Sequence, residues 1–216
     1  MKDIQYFFFD LDGTLTDPGE GITNSVAFAL KKFGIEKNDK AQLYSFIGPP
    51  LIDSFVKYYN FSQEQSKKAV EYYREYYSEK GIFENVLYDG IPFLLKKLKS
   101  DGKTIVLATS KPDKFAEQIL NHFGISDYFS FIAGATMDET RTKKDEVIKY
   151  ALESLSITDT SNVIMVGDRK YDIDGAKKFG IKTVAVGYGY GSEEELTNSK
   201  PDFFAGTVEQ LTELLL

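Results

Sequence analysis

The 216-residue chain has no cysteine and no tryptophan, and it contains a single histidine. Without cysteine it has neither disulfides nor thiolate ligands for a metal, which fits a reducing compartment. Long apolar runs are also missing: the stretch from Ile4 to Phe9, interrupted by Gln5, is far too short to cross a bilayer. The chain opens without a basic region, a signal-like apolar segment or a cleavage site. These absences predict a cytoplasmic protein with no membrane partner.

Positive charge is in deficit, with 26 Lys and Arg against 33 Asp and Glu and a net charge of −7. A chain of this charge repels polyanions at long range, which argues against a nucleic acid polymer as partner. A small anionic substrate is compatible with it if local cations offset the charge. The 42% of hydrophobic residues, with 17 Phe among the aromatics, is enough to bury a substantial core. The length allows one large domain or a core domain with an insertion.

Residues 6–15, Tyr-Phe-Phe-Phe-Asp-Leu-Asp-Gly-Thr-Leu, are the stretch around which the rest is arranged. The apolar run predicts a fully buried strand. Because residues two apart on a strand point the same way, Asp10 and Asp12 are expected to converge on one centre. Gly13 allows a sharp turn directly afterwards. A plain strand with an Asp-Gly turn is the alternative reading of these ten residues.

The next part of the chain has a helical pattern, from Ile22 to about Lys80. Ser62-Gln63-Glu64-Gln65 predicts a capping box, and the following tyrosines, at three- and four-residue spacing, predict a core face of the helix. No parallel-strand pattern interrupts this part. It is therefore predicted to be a small inserted α-helical cap domain at residues 17–83, with residues 1–16 and 84–216 forming the core.

Strands and helices then alternate. Short apolar strands are predicted at residues 104–108, 131–133, 163–166 and 183–186, and helices at 91–98, 113–123, 144–155 and 172–179. Phe203-Phe204 and residues 207–216 predict a last short strand and an amphipathic helix. This alternation is typical of an α/β fold with a doubly wound parallel sheet.

Six side chains that suit phosphate or metal chemistry follow the predicted strands or begin helices: Asp10, Asp12, Thr109, Lys144, Asp168 and Asp172. An attacking carboxylate is repelled by a phosphate, and Mg²⁺, which prefers such oxygens, would offset the charges. The set predicts phosphoryl transfer through an aspartyl-phosphate. The Thr109 hydroxyl, the Ser110 N–H and the Lys144 ammonium would hold phosphoryl oxygens, and Asp12 would move protons.

In order and spacing, Asp10-Leu11-Asp12-Gly13-Thr14, Thr109, Lys144 and the run Gly167-Asp168-Arg169-Lys170-Tyr171-Asp172 resemble the four motifs of haloacid dehalogenase-superfamily phosphatases. Residues 163–176 look like the phosphoglycolate phosphatase and 5′-nucleotidase-like branch. The helical insertion is similar to that branch's small cap, and Ile47-Gly48-Pro49-Pro50-Leu51 resembles its cap loop, which faces the active site.

This resemblance implies a Rossmann-type core and a Mg²⁺-dependent phosphatase that hydrolyses a small phosphorylated metabolite, as a monomer or homodimer. It implies that Asp10 is the nucleophile and a metal ligand. Asp12 would be the general acid/base and give its backbone carbonyl to the metal. Thr109, Ser110 and Lys144 would bind phosphate. Asp168 would ligate Mg²⁺, and Asp172 would support the metal shell or Lys144.

Several alternatives stay open at this stage. Lys143 instead of Lys144 is a candidate for the third motif, because this chain lacks the Lys-Pro-x-Pro of many relatives. Asp168 and Asp172 also fit a helix N-cap and a first-turn acid. Gly187-Tyr188-Gly189-Tyr190-Gly191 is interpreted as a flexible loop near the site, and His122 as an ordinary helix position. A β-phosphoglucomutase-like phosphotransferase, an inorganic pyrophosphatase or a non-catalytic phospho-ligand binding protein are the alternative functions.

Overall fold

The computed structural model describes Met1, residues 3–36 and residues 39–216. The chain divides into two compact units, one formed by Met1–Thr16 with Leu87–Leu216 and the other by Asp17–Val86. Two short strands carry the chain between them, β2 (Thr16–Asp17) and β3 (Val86–Leu87), which pair with each other. That the second unit acts as a cap stays a prediction. In the described part of the chain no helix is both long and apolar enough to span a bilayer.

The first unit is built on a six-stranded sheet. Its strands are β1 (Tyr6–Phe9), β4 (Thr104–Pro112), β5 (Phe131–Ala135), β6 (Val163–Gly167), β7 (Lys182–Val186) and β8 (Phe203–Ala205). They lie in the order β5-β4-β1-β6-β7-β8, and every neighbouring pair is parallel. The predicted doubly wound α/β fold is confirmed.

Strand β1 lies in the middle of the sheet because it is apolar on both faces. Phe7, Phe8 and Phe9 are fully buried, as a parallel strand covered by helices on both sides requires. Phe9 is in register with Leu107 of β4 and with Val166 of β6. The residues that follow these three strands therefore emerge side by side at the carboxyl edge of the sheet.

In the part of the chain that the structure describes, six helices accompany this sheet. They are α4 (Ile91–Ser100), α5 (Asp113–His122), α6 (Lys144–Ser154), α7 (Lys170–Lys177), α8 (Glu193–Ser199) and α9 (Val208–Leu215), with a 3₁₀ turn at Ser126–Tyr128. Helix α6 packs Val147, Ile148 and Ala151 into a core cluster that includes Phe8 and Met165 of the sheet. This packing fixes the first residue of α6, Lys144, relative to the strand ends.

The second unit is helical. It contains α1 (Gly19–Lys32), a 3₁₀ helix (Lys40–Phe46), α2 (Leu51–Tyr59), α3 (Gln63–Tyr76) and a π-helical turn (Tyr77–Gly81). The predicted capping box is confirmed: the Ser62 side chain accepts from the Gln65 N–H, and the Gln65 side chain accepts from the Ser62 N–H. Tyr73 and Tyr77 are buried and stacked at 5.2 Å between ring centroids. The predicted core face is confirmed for these two tyrosines.

Candidate active site

The carboxyl edge of the sheet collects the acidic residues that the sequence singled out. Asp10 directly follows β1 and Asp168 directly follows β6, while Asp172 lies in the first turn of α7. One carboxylate oxygen from each lies within 4.8 Å of the others, and all three residues are buried. We call Asp10, Asp168 and Asp172 the carboxylate cluster.

The turn after β1 brings the chain close to this cluster. The Leu11 N–H donates to Asp10 Oδ1 at 2.7 Å, and the Gly13 N–H donates to the Thr16 carbonyl at 2.7 Å. Gly13 has a φ of +80°, and a Cβ there would lie less than 3.0 Å from the Asp168 carboxylate. Only glycine meets both conditions, the left-handed backbone and the close approach.

Lys144 is the cation inside the carboxylate cluster. Its Nζ lies 2.8 Å from Asp10 Oδ1, 2.8 Å from Asp172 Oδ1 and 2.8 Å from the Ala108 carbonyl oxygen, to which it donates. Three acceptors match the three N–H groups of an ammonium. Burial alone would lower the pKa of Lys144, but the charges of Asp10 and Asp172 outweigh it and raise the pKa. The lysine is therefore charged in the folded protein.

Lys143, the alternative candidate, is placed differently. It is exposed, and its backbone N–H, together with that of Thr142, donates to Glu146 Oε2 at the start of α6. Of the two lysines, the structure brings Lys144 to the cluster.

The carboxylate cluster carries more negative charge than its lysine offsets. Three carboxylates face one ammonium, which leaves two negative charges over when all are ionised. Burial, followed by the charges of Asp172 and Asp10, raises the pKa of Asp168 well above its usual range. Burial, with Asp10 and against the opposing effect of Lys144, raises the pKa of Asp172 to about 6. A divalent cation would relieve this repulsion, and an all-oxygen donor set is what Mg²⁺ binds. The residues present fit such an ion.

Lys111 is a second buried cation, and sequence reasoning gave it no role. Its Nζ lies 2.8 Å from Asp12 Oδ2, with both side chains at most 10% exposed. Burial raises the pKa of Asp12, and Lys111 opposes that rise. The other oxygen, Asp12 Oδ1, is buried without a hydrogen-bond partner in the described part of the chain. It is the oxygen left to accept or donate a proton.

An irregularity in β4 explains why the sequence did not predict the Asp12–Lys111 pair. From Ala108 to Pro112 β4 passes four positions, while its partner β5 passes two, from Ala133 to Ala135. Such bulges re-aim side chains next to active sites. Lys111 lies in this bulge, and its N–H donates to Thr109 Oγ1 at 3.2 Å. The sequence Thr-Ser-Lys-Pro at a strand end was the available signal.

The other residues named from the sequence lie in β4, in α5 and in the helical unit. Thr109 is buried and Ser110 is half-buried, both in the bulge of β4; their phosphate-binding roles stay predictions. His122, the last residue of α5, is exposed. The loop Ile47–Leu51 belongs to the helical unit, and its predicted role toward the active site stays a prediction.

The fold and this edge together define a class of protein: an α/β enzyme that works with buried carboxylates and a lysine at the carboxyl end of a doubly wound parallel sheet. The chain belongs to the haloacid dehalogenase-like hydrolase family, and the sequence model of that family matches residues 7–186. The resemblance inferred from the four motifs is confirmed.

Three comparisons show how close individual relatives are. The chain is 44% identical to a 5′-nucleotidase of Pseudomonas aeruginosa over 96% of this chain and 93% of that protein. It is 38% identical to the tyrosine-protein kinase PtkA of Mycobacterium tuberculosis over 98% of this chain and 72% of that protein. A crystal structure of a predicted phosphatase from Clostridium acetobutylicum superposes with a TM-score of 0.96 at 47% identity, covering 98% of each chain.

Proposed function

We propose that this protein is a Mg²⁺-dependent phosphatase that hydrolyses a small phosphorylated metabolite through an aspartyl-phosphate on Asp10. The observation that carries this proposal is the position of Asp10, whose carboxylate belongs to the carboxylate cluster and contacts the Lys144 ammonium at 2.8 Å. A nucleophile for phosphate must lie beside groups that offset the negative charge of both partners. The similarity to a 5′-nucleotidase supports a phosphomonoester as the substrate.

Asp10 and Asp12 divide the chemistry between them. In the first step an Asp10 carboxylate oxygen forms a bond to phosphorus, and the bond from phosphorus to the leaving oxygen breaks. For this step Asp12 takes up a proton, which its burial favours and Lys111 opposes, and gives that proton to the leaving oxygen. In the second step Asp12 takes a proton from water as the water oxygen attacks phosphorus. The bond to Asp10 then breaks, which releases inorganic phosphate and restores the carboxylate.

Lys144 and the β4 bulge are the groups proposed to hold the phosphoryl oxygens. Lys144 is charged and buried at the cluster. The Thr109 hydroxyl and the Ser110 N–H would add two neutral donors. Charge-assisted and neutral donors together orient the group for in-line attack.

Asp10, Asp168 and the backbone carbonyl of Asp12 would hold Mg²⁺, with Asp172 supporting the shell and Lys144. When bound, this ion would offset the charge on the attacking carboxylate and on the transferring group. The carboxylate cluster supports this assignment because its two surplus negative charges equal the charge of one such ion.

The substrate is proposed to be a nucleotide-type or phosphoglycolate-type monoester, and the protein a monomer or homodimer. Water is the proposed acceptor of the phosphoryl group. Similarity to a tyrosine-protein kinase makes transfer to a tyrosine hydroxyl the alternative to separate by experiment.

The test is release of inorganic phosphate from a panel of phosphorylated metabolites and p-nitrophenyl phosphate, with Mg²⁺ and with EDTA. We expect turnover only with Mg²⁺, and turnover at background level in Asp10→Asn. Asp174→Asn is the matched control, because Asp174 lies on α7 two residues after Asp172 but is exposed; it should behave as wild type. Activity retained in Asp10→Asn contradicts the proposal, and labelled phosphate found on tyrosine instead of in solution favours transfer.

A further inference from the structure

The loop after β7 alternates glycine and tyrosine over five residues, Gly187-Tyr188-Gly189-Tyr190-Gly191; we call it the Gly-Tyr loop. The loop reaches the carboxylate cluster, since the Tyr190 N–H donates to Asp168 Oδ2 at 2.7 Å. This hydrogen bond fixes one oxygen of a carboxylate cluster residue from outside the cluster.

Close packing against Asp168 requires glycine at two positions of the loop. A Cβ on Gly189 would lie less than 3.0 Å from the Gly13 carbonyl oxygen and from Asp168 Cβ. A Cβ on Gly191 would lie less than 3.0 Å from the Asp168 carbonyl oxygen. Any side chain at either position would push the loop away from Asp168. The loop is therefore packed directly against this residue.

Tyr188 ties the same loop to the turn after β1. Its hydroxyl donates to the Thr14 carbonyl oxygen at 3.0 Å, and its ring meets Tyr88 edge-on at 5.0 Å. Burial raises the pKa of the Tyr188 phenol, so the hydroxyl keeps the proton that it donates. The Thr14 hydroxyl lies 3.5 Å from Asp168 Oδ1, the second oxygen of that carboxylate.

We propose that the Gly-Tyr loop is the positioning element that holds the Asp168 carboxylate in place to receive the divalent cation, a role that rests on the proposed function. The loop contacts one Asp168 oxygen through the Tyr190 N–H. The Thr14 hydroxyl contacts the other oxygen, and the loop holds Thr14 through the hydrogen bond from Tyr188. Residues that orient a metal-ligating carboxylate change metal affinity by about 10- to 100-fold when they are altered. The loop thus controls metal binding through Asp168.

The experiment measures Mn²⁺ binding to the full chain from the electron paramagnetic resonance signal of free Mn²⁺. Gly189→Ala is expected to weaken Mn²⁺ binding by about 10- to 100-fold. Gly187→Ala is the matched control in the same loop, because the three atoms nearest to its Cβ, the closest at 2.5 Å, all belong to the ring of Phe204, which is 58% exposed and can move away. Gly187→Ala should bind Mn²⁺ as wild type does.

Tyr188→Phe provides a second variant in case Gly189→Ala does not fold. It removes the hydrogen bond to Thr14 but keeps the ring, and we expect a severalfold loss of Mn²⁺ affinity. Thermal unfolding of the metal-free proteins establishes that each variant is folded. A purely structural role would lower the unfolding temperature and leave Mn²⁺ affinity unchanged.

Asp168→Asn separates the failure of this inference from the failure of the proposed function. If wild type binds no Mn²⁺, the proposed function and the inference both fall. If Asp168→Asn loses binding while folded Gly189→Ala and Tyr188→Phe keep wild-type affinity, the inference alone is overturned. If Gly189→Ala does not fold, Tyr188→Phe with wild-type affinity overturns it.

Discussion

Two groups of buried charged residues lie at the carboxyl edge of the sheet, and they differ in net charge. One group is balanced, and the other is negative. The Asp12–Lys111 pair has one charge of each sign, 2.8 Å apart. The carboxylate cluster sets three acids against the Lys144 ammonium, which pairs with two of them. A balanced buried pair can persist without a ligand, whereas an unbalanced cluster is repulsive until a cation arrives. The difference suggests that one group is prepared for proton transfer and the other for a metal ion and a phosphate.

The same comparison explains how a site can be destabilised by repulsion between like charges and not by backbone geometry. Protons partly relieve the cluster when metal is absent, as the raised pKa values of Asp168 and Asp172 indicate. The bound cation would replace those protons. Function at this edge therefore requires like charges that do not favour folding of the metal-free chain, a common feature of active sites.

The largest effect is expected from removing the Lys144 ammonium, which pairs with two of the three carboxylates of the cluster. Lys144→Met leaves Asp10, Asp172 and the Ala108 carbonyl without their ammonium, and breaking a buried ion pair in this way costs about 3–5 kcal/mol of unfolding free energy. Turnover should fall to background as well. Urea denaturation of metal-free protein measures the first effect, and phosphate release the second.

Lys143→Met is the matched control for that variant, because Lys143 is the adjacent residue but is exposed. Exposed substitutions away from special features stay within about 0.5 kcal/mol. Equal destabilisation by both variants would contradict the assignment of Lys144 as the cation of the cluster.

The next effect tests whether the two groups act independently. Asp12→Asn removes the proposed acid/base and should lower kcat by about 10²- to 10⁴-fold, the usual contribution of proton transfer. Its Mg²⁺ affinity should stay close to wild type, since the Asp12 side chain pairs with Lys111 and not with the cluster.

Asp168→Asn should instead act first on the metal, by weakening Mg²⁺ binding more than about 10-fold. Calorimetric titration with Mg²⁺ and single-turnover rates separate the two. Parallel losses of both properties in both variants would show that the groups form one unit.

The sequence predicted most of the carboxylate cluster because apolar runs mark where buried strands end. Phe7–Phe9 and residues 163–166 locate two neighbouring strands, so Asp10 and Asp168 were predicted to meet. Periodicity carries this information, and it concerns regular structure only.

What the sequence did not predict lies in irregular backbone. Lys111 reaches Asp12 from a bulge whose extra residues appear only in the pairing of β4 with β5. The Gly-Tyr loop was expected to be flexible, yet two of its glycines pack against Asp168. At the start of α8, Ser192 accepts from the Glu195 N–H, but the Glu195 carboxylate pairs with Arg169 at 2.9 Å instead of completing a capping box. Long-range partners decided each of these cases.

The smallest expected effect concerns how pH acts on the unbalanced group. In the metal-free protein the pKa of Asp172 is raised to about 6 and that of Asp168 is also raised, so both hold protons more readily than in the unfolded chain. The stability contributed by this proton uptake is present at low pH and is lost as pH rises through the folded-state values. Mg²⁺ competes with these protons. Its stabilisation should therefore increase from pH 5.5 to pH 8, by roughly 1–3 kcal/mol, since one pKa unit corresponds to about 1.4 kcal/mol.

Thermal unfolding with Mg²⁺ and with EDTA at several pH values measures this increment. Asp168→Asn should show little increment at any pH, and the control Asp174→Asn should follow wild type, because Asp174 is exposed on the same helix as Asp172. The Asp12–Lys111 pair offers no comparable dependence on Mg²⁺, since its charges already balance. An increment that is the same at pH 5.5 and pH 8 would mean that the cluster holds no protons for the cation to displace, and the contrast between the two groups would then concern geometry alone.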